Sequence, residues 1–182
     1  MKEYKTDTMR LLCKDGNPDA LRAATGLITE QDAALARRFH RSIPGYEETR
    51  LVRLREAAAH YGIRDIFVKD ESTRFGLKAF KGLGGSYSMF RILCEQLGLD
   101  PETADYQTFR DPEVREKCGE VTFVTATDGN HGKGVAWAAA LFGCQAHVYM
   151  PKGSAKARRQ AIEEAGRFAI GNAGCQTNEE AG

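Results

Sequence analysis

Val121-Thr-Phe-Val-Thr-Ala-Thr-Asp-Gly-Asn-His-Gly132, with Gly134 to Phe142 and Gln145-Ala-His-Val-Tyr-Met150 behind it, decides the fold. Residues 121–125 are β-branched and aromatic, so they read as a strand leading into a polar, glycine-rich turn. Gly134 to Phe142 is an alanine-rich helix stopped by Gly143, and residues 145–150 form a second strand closed by Pro151. Ser154 caps a further helix to about Ala165, with Gly166 as its end. Strand, helix, strand, helix at this spacing predicts βαβ units on a parallel sheet, so the fold class is α/β.

Working outward, residues 1–16 read as irregular, and Asn17-Pro18 opens a first helix with Asn as cap and Pro at its first position. Thr29 with Asp32 three residues on begins a second helix, which runs to about His40 and breaks at Ser42-Ile-Pro-Gly-Tyr46. Leu51 to His60 has helical spacing, Gly62 stops it, and Arg64 to Lys69 is a short strand. Lys81 to Leu97 is helical and Gly98 closes it. Residues 99–119, rich in charge and holding two prolines, read as a surface connection with one helical turn. After Gly166 the tail Gly171-Asn-Ala-Gly-Cys-Gln-Thr-Asn-Glu-Glu-Ala-Gly182 carries little that could be buried and reads as disordered.

The totals bound the function. At 182 residues the chain holds one core or two small incomplete ones, and 42% hydrophobic with 28% charged residues is ordinary for a globular protein. A net charge of +1 supplies no field toward nucleic acid or anionic membrane. No apolar run has the length of a membrane span, and the polar N-terminus lacks a signal-peptide core, so the expected address is the cytoplasm. The five cysteines have no C-x-x-C spacing and the histidines no ligand spacing, so free thiols and no metal are expected.

Two segments can carry chemistry. In Ala79-Phe-Lys81-Gly-Leu-Gly-Gly85 the lysine can condense with a carbonyl, Phe80 can exclude water, and the glycines let a flat ligand approach the backbone. Lys78 is a rival: were 78–81 helical, the two ammoniums would repel and one would favour its neutral form. A lysine taken alone is more often a solvated surface charge. In Thr127-Asp128-Gly129-Asn130-His131-Gly132 a turn between strand and helix offers backbone N–H groups to an anion. Asn130 can pin a ring oxygen, and Asp128, if desolvated, can act as a general base. The competing reading makes Asp128 a helix cap and the glycines turn formers. His131 and His147, taken singly, read as structural rings. The Walker and dinucleotide spacings fail, because Val135-Ala136 stands where Lys-Ser/Thr is required and Trp137 and Tyr87 stand where glycine or alanine is required.

Seven stretches in order are Phe39-His-Arg-Ser-Ile-Pro-Gly-Tyr46, Val68-Lys-Asp-Glu-Ser72, Arg74-Phe-Gly-Leu77, Ala79-Phe-Lys81, Gly84-Gly-Ser-Tyr87, Thr127 to Gly132, and Gly143-Cys-Gln-Ala-His-Val-Tyr-Met-Pro151. With them the chain from Phe39 to Gly166 resembles the fold-type II, tryptophan-synthase-β-like pyridoxal-phosphate enzymes, and among these the diaminopropionate ammonia-lyases. The resemblance implies pyridoxal phosphate as cofactor, Lys81 as the lysine that bonds to it, and Gly129, Asn130, His131 and Gly132 as the turn against it, with Asn130 on the ring oxygen. It implies Asp128 as the carboxylate that takes the α-proton from one substrate enantiomer. At position 78 the family usually looks to have asparagine, so Lys78 is a departure. The implied activity is α,β-elimination of 2,3-diaminopropionate to pyruvate and ammonia, by a cytoplasmic homodimer acting on a small amino acid, without nucleic acid or membrane partners. Serine or threonine dehydratases share the fold, but Asp128 stands where they usually carry a small hydroxyl residue. A non-catalytic fragment needing a separate C-terminal half is the rival from outside enzymes. Residues 1–98 are then expected to belong to the larger domain with the cofactor lysine, 99–167 to the smaller cofactor-flanking domain, and 168–182 to an aberrant or disordered tail. The family's enzyme is roughly twice this length, so the incomplete fold is expected to bind cofactor weakly and turn over poorly by itself.

Overall fold

The computed structural model describes residues 2–5, 10–13, 29–127, 129–168 and 175–178. The chain divides into two compact units, Met1–Ala36 and Arg37–Gly182. In the first, β1 (Lys2–Lys5) and β2 (Arg10–Cys13) pair antiparallel, Lys2 opposite Cys13. The irregular start expected there is therefore corrected: main-chain pairing between two short segments makes the strands, and local composition does not announce it. The Asn17-Pro18 helix lies outside the described residues. Helix α1 (Glu30–Ser42) opens with the expected capping box. The Thr29 amide donates to Asp32 Oδ2 at 2.8 Å and the Asp32 amide donates to Thr29 Oγ1 at 3.2 Å.

The second unit takes in the end of α1 from Arg37 and continues with an antiparallel ribbon of β3 (Leu51–Arg53) and β4 (Phe67–Lys69), with α2 (Arg55–His60) between them. Leu51 to His60 is thus not one helix. Its first three residues are drawn into extended form by pairing with a segment well down the chain, a term that helical periodicity does not contain. Helix α3 (Lys81–Leu97) follows with Gly98 left-handed at φ 65° as its stop, as the sequence predicts. Helix α4 (Pro112–Gly119) is capped by Asp111, whose carboxylate accepts from the Glu113 and Val114 amides. Then come β5 (Thr122–Ala126), α5 (Asn130–Phe142), β6 (Gln145–Tyr149), α6 (Lys156–Phe168) and β7 (Cys175–Asn178). Strands β5, β6 and β7 lie in that order, all parallel, with Thr122 opposite Gln145 and Ala146 opposite Cys175. The parallel βαβ reading holds.

Helix α5 is the hub: every residue from Val135 to Phe142 is buried, so it reads apolar all round. Phe39, Phe90, Phe109 and Phe142 fill the centre, with Phe39 stacked on Phe90 at 4.3 Å and Phe109 edge-on to Phe142 at 4.8 Å. Phe109 corrects a second expectation. The connection 99–119 contributes Ala104, Tyr106, Phe109 and Cys118 to the core, and the Arg38 guanidinium donates to the Pro101 and Ala104 carbonyls. Spacing missed it because each apolar residue there stands alone among charges. The expected boundary at 98–99 falls inside this second unit. The tail is corrected at four residues, since Cys175–Asn178 pair with the open edge of β6; main-chain hydrogen bonding needs no apolar side chains. The rest of the tail past Phe168 lies outside the described residues.

Candidate active site

Lys81 is the first residue of α3, and the segment leading to it is held from both sides. Upstream stands Arg74, buried at 5% exposure. Its guanidinium donates to Glu71 Oε2 at 2.8 Å, to the Glu47 carbonyl at 2.7 Å and to Thr49 Oγ1 at 3.1 Å, and it lies over the Tyr46 ring at 5.3 Å. The hydrogen bond from Arg74 holds the Glu71 carboxyl below its ordinary range, and the same bond raises Arg74. Between Arg74 and Lys81 the backbone is left-handed at two non-glycine residues, Phe75 at φ 49° and Lys78 at φ 55°. Each costs about 1–2 kcal/mol, which the surrounding contacts offset.

The lysine itself is exposed, its ammonium 4.8 Å from the centre of the Phe80 ring. Phe80 is exposed too, so it offers a ring face and does not exclude water as its sequence position suggests. The supposed helical apposition of Lys78 and Lys81 is absent: Lys78 is left-handed and the helix starts at Lys81.

The other segment follows β5. The Thr127 amide donates to the Tyr149 carbonyl at 2.8 Å, and Thr127 Oγ1 accepts from the Gly129 amide at 3.3 Å. Gly129 caps α5 without any side-chain hydrogen bond, which leaves the first-turn amides of Asn130, His131 and Gly132 without a capping acceptor among the described residues. Asn130 and His131 are exposed, and the Asn130 carboxamide makes no hydrogen bond among the described residues. Gly132 is different. It is buried, and an added Cβ would lie 2.8 Å from Thr127 Cγ2 and 2.9 Å from Val148 Cγ1, so packing alone demands glycine there. Asp128 lies outside the described residues.

The two segments meet where α3 and α5 start. A Cβ at Gly134 would stand 2.9 Å from the Lys81 carbonyl carbon and 3.0 Å from its oxygen. Lys133 Nζ donates to the Leu77 carbonyl at 2.8 Å. Neither Lys133 nor Arg74 stood out in the sequence as a site residue; an Arg or Lys read singly is a solvated charge. A cavity of about 310 Å³ opens beside Gly129, Asn130, Lys133 and Arg158, and one of about 680 Å³ beside Phe75, Lys78, Lys133 and Trp137.

Among the described residues no cluster of His, Cys, Asp or Glu could hold a metal ion. Cys94, Cys118 and Cys144 are free and buried. Burial pushes the Cys94 thiol up to about 11, and the hydrogen bond to Cys118, followed by burial, pushes Cys144 up as well, so these two are unreactive core residues. No helix among the described residues is long and apolar enough to cross a membrane.

A family profile described as pyridoxal-phosphate dependent enzyme matches residues 43–170. The chain belongs to this family. It is 49% identical over 144 residues to diaminopropionate ammonia-lyase of Escherichia coli (strain K12), covering 79% of this chain and 35% of that protein. It is 43% identical over 164 residues to the same-named protein of Salmonella typhimurium (strain LT2), covering 90% and 39%. The crystal structure of the Escherichia coli diaminopropionate ammonia lyase in apo form superposes with a TM-score of 0.70 at 46% identity, over 83% of this chain and 39% of that one. The same enzyme in complex with D-serine gives 0.71 at 46%, over 84% and 36%. A pyridoxal 5'-phosphate-dependent aspartate racemase shares the fold alone, with a TM-score of 0.52 at 19% identity. The chain spans little more than a third of the length of the curated relatives it matches. The donor set fits the family's cofactor: an exposed primary amine at Lys81, an unengaged carboxamide at Asn130, and a helix start whose cap is a bare glycine.

Proposed function

We propose that this chain carries the cofactor-lysine region of a carbon–nitrogen lyase, and that the whole enzyme eliminates ammonia from 2,3-diaminopropionate to give pyruvate and a second ammonia. The observation that carries the reading is the contact of Gly134 with the Lys81 carbonyl, which joins the start of the lysine's helix to the start of the Asn130 helix. The names of the relatives supply the substrate. The relative solved with D-serine supports the wider class, a small amino acid with a leaving group on its β-carbon.

In this reading the Lys81 amine is the group that would hold the cofactor, and it would also be placed to carry a proton beside it. The Asn130 carboxamide would orient a ring oxygen, and the amides of His131 and Gly132 would face negative charge with the positive end of α5 behind them. Gly129, whose own amide is taken by Thr127 Oγ1, would contribute the bare cap that lets the cofactor approach. Gly132 acts through its backbone alone, since no side chain fits there. Asp128 takes the α-proton from one substrate enantiomer. When bound, pyridoxal phosphate supplies the electron sink that makes this proton loss possible. The whole enzyme is proposed to be a cytoplasmic homodimer, with residues 1–98 in its larger domain and 99–167 in its smaller one.

An absorbance titration of the chain with pyridoxal phosphate, before and after borohydride, tests this. A band near the visible edge that reduction removes and Lys81→Ala abolishes is the expected result. A spectrum indifferent to Lys81 sinks the reading.

A further inference from the structure

Helix α5 grips the segment around Lys81 at three levels. Trp137 stacks on Phe75 at 4.6 Å and lies 3.4 Å from where a Cβ on Gly82 would stand. Gly134 abuts the Lys81 carbonyl. Lys133 Nζ donates to the Leu77 carbonyl at 2.8 Å. The first two contacts are apolar or purely steric and set a distance. The third is directional and sets the plane of the peptide that enters Lys78.

Lys133 is an unusual lysine in its surroundings. It is half-buried, it has no carboxylate partner among the described residues, and the acceptor it reaches is a neutral carbonyl. Its ammonium is committed to one main-chain acceptor, which fixes a long flexible stem at a cost in rotamer entropy. The residue lines both cavities, the one beside Gly129 and Asn130 and the one beside Phe75 and Lys78. The carbonyl it holds immediately precedes left-handed Lys78, from which the chain turns into the helix of Lys81. Lys133 therefore stands three residues from Asn130 in sequence and one hydrogen bond from the Lys81 segment.

We propose that Lys133 is a positioning residue for Lys81: by fixing the Leu77–Lys78 peptide it holds the Lys81 amine in register with the Asn130 turn. This rests on the reading of Lys81 as the cofactor lysine. Methionine at 133 would keep the stem and lose the donor, whereas arginine would keep charge and donors.

The test is reductive trapping of pyridoxal phosphate on the purified chain with borohydride, quantified lysine by lysine by peptide mass spectrometry. Exposed Lys117 serves as the internal reference. Amide hydrogen exchange over residues 77–83 without cofactor is the second readout. Expected is preferred trapping at Lys81 in the native sequence, a fall of about tenfold in the Lys81-to-Lys117 ratio in Lys133→Met, and recovery to within about threefold in Lys133→Arg. Exchange over 77–83 rises in Lys133→Met only. Should that variant not fold, Lys133→Gln takes its place. An unchanged ratio in folded Lys133→Met, or a folded Lys133→Arg no better than methionine, overturns the proposal while leaving Lys81 as the cofactor lysine. Absence of any preference for Lys81 in the native sequence overturns the cofactor-lysine reading, and the positioning role with it.

Discussion

The crossing of α3 and α5 and the ribbon of β3 and β4 are both written in apolar residues, yet only the crossing buries them. At the crossing Gly82, Gly85 and Gly134 let two helices approach until backbone meets backbone, and Phe90, Leu93 and Phe142 close the space behind. In the ribbon Leu51 is 64% exposed and Phe67 56%, and the strands are joined by main-chain pairing with Arg53 over the Phe67 ring and paired to Asp65, all at the surface. Apolar character alone therefore says little about which residues hold the fold. The candidate site uses the tight region: Lys81 and Asn130 are exposed side chains on helix starts that buried contacts keep in place.

The contrast should break most sharply at Phe142. Phe142→Ala removes a ring with no exposed surface, stacked in parallel with Phe39 and edge-on to Phe109, and should cost about 4 kcal/mol in urea unfolding. Phe67→Ala in the ribbon should cost under about 1 kcal/mol, and equal losses would erase the distinction. Gly134→Ala comes next. Alanine should gain about 1 kcal/mol of helix propensity. Its Cβ meets backbone atoms of Lys81 and Gly82 that cannot rotate away, so a net loss of about 1–2 kcal/mol is expected. Trapping at Lys81 should fall alongside; a stabilised variant would mean that the helices are free to part.

The smallest effect concerns acid. Arg74 holds the Glu71 carboxyl below the unfolded value of about 4.3, so the stabilisation is fully present above that pH and is lost as pH falls through the lower folded value. Native sequence and Glu71→Gln should differ by on the order of 1 kcal/mol near neutrality. The difference should shrink on acidification below about pH 4, and a gap that instead widened would reverse the assigned sign.

Legibility followed the range of the forces. The Thr29–Asp32 box, the stops at Gly98 and Gly143, the start of α3 at Lys81 and the parallel pair β5–β6 were all readable, because each depends on residues within a few positions or on a regular repeat. Both motif segments could be named as candidate chemistry for the same reason. Strand β3, the burial of Phe109, strand β7 and the roles of Arg74 and Lys133 were not, since each depends on a partner far away in sequence. Left-handed Lys78 belongs with them: nothing local prefers that conformation, and distant contacts offset its cost. The sequence by itself determined the βαβ grammar, the capping box at Thr29, the helix stops at Gly98 and Gly143, and the residue types offered to a carbonyl cofactor. Only the tertiary structure decided which cation holds which carbonyl and which glycine is a packing necessity, because those depend on surfaces that exist only after distant segments have met.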